Sequence, residues 1–154
     1  MFREMRRADR ALDIDEVNMI LEKGEYGVLS TIGENGYPYG VPVSYFYKED
    51  KIYFHCAAGV GEKLENIKIN SNVCFTVVGD TDVLPSKFST KYESVIVFGT
   101  ASESVEDKQI ALEGLIDKYS KGFEESGMKY IASAMDKTGV YEIKIDHMTG
   151  KARK

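Results

Sequence analysis

The stretch YGVLSTIGENGYPYGVPVSYFYKEDKIYFHCA, residues 26–57, constrains the fold more than any other part of the chain. It is rich in Val, Ile, Thr, Tyr and Phe, side chains that pack well on a pleated surface. It is interrupted at Glu34-Asn35-Gly36 and again at Lys48-Glu49-Asp50. Asn-Gly between two such runs is a strong hairpin signal, because both residues tolerate the positive φ of a tight turn. The run predicts three consecutive antiparallel strands, at about 26–32, 37–47 and 51–57. Pro38 and Pro42 cannot donate to a ladder, so the middle strand must have an edge or a split there. Such an opening leaves backbone groups within reach of a ligand's polar atoms.

The remaining elements follow from periodicity. Ile14, Val17, Ile20 and Leu21 share one helical face, with Asp13 or Asp15 to cap the start and Gly24 to end it in the left-handed conformation. Leu64 and Ile67 mark a short helix after Gly61. Val73–Gly79 and Glu93–Glu103 read as strands four and five, separated by an irregular segment from Asp80 to Thr90 that contains Pro85. Gly99 is a candidate bulge or close-approach position. Helices are predicted from Asp107 to Tyr119 and from Phe123 to Met135, then a last strand from Val140 to Ile145. Parallel sheets need regular βα alternation, which is missing. The order predicts a mainly β protein, an antiparallel sheet closing into a small barrel with peripheral helices. With no repeat and no linker, residues 1–154 read as one domain, with an N-terminal arm over about 1–12 and a basic tail over about 147–154.

Net charge is −5, from 25 acids against 20 bases, which excludes a general nucleic-acid binder. Arg3, Arg6, Arg7 and Arg10 crowd one terminus and Lys151, Arg153 and Lys154 the other; these are either arms for a phosphate or an acidic partner, or solvated ends. Cys56 and Cys74 make no metal-binding pair and imply no disulfide framework. The first residues lack the apolar centre of a signal peptide, and no uncharged run is long enough to span a bilayer. A cytoplasmic protein without membrane contact is expected.

The chemistry concentrates in HCAAGVGEK, His55–Lys63. A strand runs into a small-residue turn, and a helix begins with a lysine in its first turn. Free N–H groups at a helix start attract anions, and glycines let a phosphate approach closely. The spacing matches neither the Walker pattern nor the dinucleotide fingerprint, so the same residues also read as an ordinary strand-to-helix connection. His55 and Cys56 are adjacent on a strand, point to opposite faces and cannot form a nucleophile–base pair. Two separated histidines, His55 and His147, assemble no convincing metal site. In the second strand Tyr37, Tyr39, Val41, Val43, Tyr45 and Tyr47 alternate with Pro38, Gly40, Pro42, Ser44 and Phe46. The first set reads as a sheet core or dimer face; the second is small enough to admit a flat ring.

The run from GVLSTIGENGYPYGVPVSYFYK to HCAAGVGEKLENIKINSNVCFTVV, continued by KYESVIVFGTASE, resembles the pyridoxamine 5'-phosphate oxidase-like FMN-binding split barrels. Within them it is most similar to the nitroimidazole-resistance (Nim) proteins. The resemblance implies a six-stranded antiparallel split barrel, a homodimer, and FMN at the subunit interface. Carried over, Pro42, Val43 and Ser44 border the flavin ring, and His55, Cys56 and Ala57 lie at its phosphate end. Lys63 pairs with the phosphate, and Thr31, with Leu29 and Ser30, is a further neighbour. His55 takes the active-site position. Tyr92 and Ser94 match a segment that approaches the site from one subunit or the other. The tail MTGKARK lacks the arginine pattern of a true pyridoxamine phosphate oxidase, so vitamin B6 oxidation is not expected. The expected function is an FMN-dependent reductase of small acceptors such as nitroaromatics, fed by a transient NAD(P)H. The alternative is a flavin or haem carrier of the same fold, with His55 as the haem ligand.

Overall fold

The computed structural model describes all 154 residues. Its elements are α1 (Ile14–Lys23), β1 (Gly27–Ile32), β2 (Pro38–Val43), β3 (Phe46–Lys48), β4 (Lys51–Ala57), α2 (Glu62–Ile69), β5 (Asn72–Leu84), β6 (Ser89–Glu103), α3 (Lys108–Tyr119), α4 (Glu124–Ala134) and β7 (Thr138–Arg153). The strands form one antiparallel sheet in the order β2-β1-β5-β6-β7-β4-β3. The two edge strands, β2 and β3, are consecutive in the chain and separated only by Ser44 and Tyr45. A two-residue link between opposite edges requires the sheet to curl until its ends meet. No ladder joins those ends, so the sheet is split rather than closed.

The expected six strands are therefore seven, and the ladder does not close into a barrel. The expected strand 37–47 divides at Ser44–Tyr45, its first part pairing with β1 and its second with β4. The prolines explain the edge: Pro38 and Pro42 sit where an N–H would face away from β1. The split has a physical anchor. The Tyr45 N–H donates to Tyr119 Oη at 3.0 Å instead of to a strand, and the Tyr119 hydroxyl donates to the Glu25 carbonyl at 2.7 Å. Tyr45 is fully buried and its own hydroxyl donates to the Leu21 carbonyl at 2.6 Å.

Two further expectations change. The segment Asp80–Thr90 is not irregular: it extends the β5–β6 hairpin, with Thr81 opposite Tyr92 and Leu84 opposite Ser89 past a register shift. The last strand, expected over Val140–Ile145, runs from Thr138 to Arg153, where it pairs with Tyr92. Leu12 N–H donates to the Gly150 carbonyl, so the N-terminal arm is tied to that strand.

Alternation builds the core. Leu29, Phe75, Val77, Val95, Val97, Phe54 and Ile143 point into the curl and are buried there with Val17, Ile20 and Leu21 of α1 and Leu64 and Ile67 of α2. Each such side chain contributes about 1.5–3 kcal/mol by leaving water. A second cluster, Tyr53, Val140, Ala111, Leu112, Leu115 and Ile131, seats α3 and α4 on the outer face of β4 and β7. Elsewhere the outer face is bare: Val78, Ile96 and Phe98 remain 58%, 39% and 39% exposed. No helix is long and apolar enough to cross a membrane.

Candidate functional site

Three elements converge on the end of β4. His55 lies on the outward face of that strand, opposite Val140, and is exposed; Cys56 turns inward and packs against the core. The chain then turns through Gly59 at φ 72° and Gly61 at φ 121°. Gly61 is required there, because L side chains are strained at such angles. It also serves as the N-cap of α2, with no side chain closing the helix start. The first N–H groups to find an acceptor are those of Leu64 and Glu65, both bonded to the Gly61 carbonyl. Those of Glu62 and Lys63 have none, which is the arrangement that binds anions. A Cβ on Gly61 would meet a single neighbour, Lys63 Nζ at 3.9 Å, so the lysine amine overhangs the turn.

Electrostatics link these groups. The His55 imidazole titrates below its usual value, first because surrounding protein atoms desolvate the charged form and second because Lys63 repels it. His55 is neutral at pH 7, with one nitrogen to donate and one to accept. The Cys56 thiol is pushed up by burial, so it stays protonated. Its sulfur faces the Gly139 carbonyl at 3.7 Å.

The sheet's free edge carries the other expected residues. The β3–β4 ladder ends at Phe46↔Tyr53, and Ser44 lies in the link just before it. Pro42 and Ser44 are exposed and Val43 half-buried, so this edge offers small side chains and unpaired backbone. Ala57 is exposed at the end of β4. Thr31 is placed differently: it is 1% exposed, and its hydroxyl accepts a hydrogen bond from Asn66 Nδ2 at 3.0 Å inside the core. That bond ties α2 to β1 and so fixes the helix start. Neither Asn66 nor Tyr119 was legible as a positioning group, since a buried amide and a tyrosine at helical spacing carry no local motif.

Tyr92 and Ser94 lie elsewhere. They pair with Arg153 and Lys151 at one end of the β6–β7 ladder, whereas His55 pairs with Val140 near the other end of β7. Thirteen residues of β7 separate the two places, about 40 Å of strand at ~3.3 Å per residue. Arg10 donates to Tyr92 Oη at 3.4 Å, and Lys151 Nζ sits 5.6 Å from the Tyr92 ring centre.

A curled antiparallel sheet with its two edge strands linked but not paired, helices at its periphery, and a glycine turn leading into the uncapped start of α2 define a mainly β protein of split-sheet type. The chain belongs to the pyridoxamine 5'-phosphate oxidase family, whose model matches residues 13–152. No curated protein sequence is similar enough to match it. Among solved structures it is similar to a candidate 5-nitroimidazole antibiotic resistance protein from Bacteroides thetaiotaomicron, at 23% identity and a TM-score of 0.74, over 92% of this chain and 86% of that one. A conserved hypothetical protein from Mycobacterium tuberculosis aligns with a TM-score of 0.81 at 18% identity, over 97% and 90% of the two chains. A FAD-binding protein from Mesorhizobium loti aligns at 0.65 and 21% identity, over 94% and 98%.

Proposed function

We propose that this chain is an FMN-binding flavoprotein that reduces small acceptors such as nitroaromatic (5-nitroimidazole) compounds with a reduced nicotinamide as donor. The observation that carries the reading is the open start of α2, where two free N–H groups and the Lys63 amine share a corner with His55. That donor set fits a terminal phosphate, and the small-residue edge of β2 fits a flat ring. Family membership and the similarity to a FAD-binding protein from Mesorhizobium loti support a flavin as the cofactor class.

In this reading Lys63 neutralises the phosphate while the backbone of His55, Cys56 and Ala57 flanks it. Pro42, Val43 and Ser44 border the ring along the edge of β2. Thr31 acts through Asn66, holding the helix start in place. Bound flavin supplies the two-electron chemistry, and the chain supplies position and shielding from water. Neutral His55 orients the acceptor by donating one N–H to it. The nicotinamide donor stacks transiently and needs no dinucleotide fold. The exposed Val78, Ile96 and Phe98 face is covered by a second copy in a homodimer, across which Tyr92 and Ser94 reach a flavin site.

The test is the absorption spectrum of the protein as purified, followed by FMN titration. Flavin bands, and release of FMN rather than FAD on denaturation, are expected. A colourless protein that takes up no FMN overturns the reading. An intense Soret band gives the haem-carrier alternative, and bound flavin without nicotinamide-dependent reduction gives the non-catalytic carrier.

A further inference from the structure

Lys118, in the last turn of α3, takes no part in the site above. Its Nζ is buried and has no hydrogen-bond partner. It rests 3.7 Å from the centre of the Tyr45 ring and 5.3 Å from that of Tyr119. Burial alone pulls its ammonium down to about 8, with no charged neighbour contributing. An ammonium withdrawn from water without a counter-ion is costly, and an aromatic face offsets only part of that cost.

The same residue lines a trough of about 1210 Å³ between α1, the Ser44–Tyr47 segment and α3. One wall is aromatic, from Tyr26, Phe46, Tyr47 and Tyr119. The charged groups around it are Glu22, Lys23 and Glu25 near the end of α1, and Asp117 and Lys121 around the end of α3. Lys23 is drawn off towards Asp80 and Glu93, each at 3.8 Å. None of the three carboxylates pairs with Lys118.

We propose that this trough binds a small organic acid with a planar apolar body, an aromatic carboxylate, for which Lys118 is the counter-ion. The Tyr45 ring is the resting place of the amine when the trough is empty. Rotation about its terminal side-chain bonds carries Nζ into the trough, where a carboxylate gains a charge-assisted hydrogen bond in a partly desolvated setting. The ring of the ligand packs on Phe46 and Tyr47. The site stands whether or not the chain binds flavin.

The experiment is calorimetric titration of the full-length protein with benzoate and with cinnamate at pH 8, in two buffers of different ionisation enthalpy. Saturable binding is expected, with uptake of about half a proton per ligand, because pairing raises the pKa of an amine that is half deprotonated there. Neutral benzamide should bind at least tenfold more weakly. Lys118→Met keeps the apolar stem on Tyr45 and removes the charge, so melting should be unchanged or raised and carboxylate affinity should fall at least tenfold. Absence of saturable binding to the wild type overturns the proposal. So does binding without proton uptake, or binding that Lys118→Met leaves intact. Should Lys118→Met misfold, the wild-type proton uptake and the benzamide comparison decide alone.

Discussion

Lys63 and His55 act on each other through space, and the proposed phosphate site is tested at that pair. Lys63→Ala removes a charge-assisted contact, so FMN affinity should fall by about 1–3 kcal/mol, roughly 5- to 150-fold. Lys63 is not in the core, so thermal stability should hold; fluorescence titration and a melting curve read the two effects. The same variant should let the His55 imidazole titrate closer to its usual value, followed by NMR. The sign for stability follows from the direction of the shift. The folded protein holds His55 at a lowered pKa, so the unfolded chain takes up the proton first as pH falls. The contribution is present above about 6.5 and is lost as pH drops through the folded value. His55→Gln should flatten that part of the stability profile, measured by denaturation between pH 7.5 and 5. Lys63 stood out in the sequence because a glycine turn with a lysine in the following first turn is a local pattern, whereas His55 and Thr31 were given their roles by the family resemblance. The bond between Thr31 and Asn66 was not legible, since it depends on which face of β1 meets α2.

At the scale of elements, the split between β2 and β3 is held by side chains distant in sequence. Tyr119 takes the Tyr45 N–H and gives its proton to Glu25, so Tyr119→Phe leaves a buried N–H without an acceptor. A loss of about 1–3 kcal/mol is expected, with faster hydrogen exchange at the Tyr45 amide. Gly24 shows the same dependence on tertiary contact. The sequence reads it as a left-handed helix end, yet its φ is −59°. Glycine stands there because a Cβ would meet Tyr45 Oη and Val77 Cγ1, each at 2.6 Å. Gly24→Ala should therefore destabilise by about 1–3 kcal/mol through overpacking, not backbone strain, and Gly24→Ala with Val77→Ala should recover part of the loss in denaturant melts. The outer hairpin from Asp80 to Thr90 escaped sequence reading for a plain reason. Asp80, Thr81, Asp82 and Val83 are all exposed, so no buried face imposes alternation there. Where one face is buried, as in Val73–Val77 and Val95–Val97, the strands were read correctly.

For the whole molecule, the bare outer face carries the argument from fold to assembly. Ile96 and Phe98 stand on β6 beside Val78 on β5, and Phe2 stacks over Phe98 and His147, at 5.2 and 4.6 Å between ring centres. An apolar stripe running across adjacent strands, with no helix over it, is the kind of surface that soluble chains cover by association. Ile96→Asp places a carboxylate in the middle of the stripe and outside the core, so the fold should persist while the dimer dissociates. Light scattering after gel filtration should show a mass near the 17.3 kDa of one chain in place of twice that. FMN affinity should fall in the same variant despite an intact Lys63, because a site shared between copies is lost with the interface. Monomeric Ile96→Asp that binds FMN as tightly as the wild type would place the whole cofactor site within one chain.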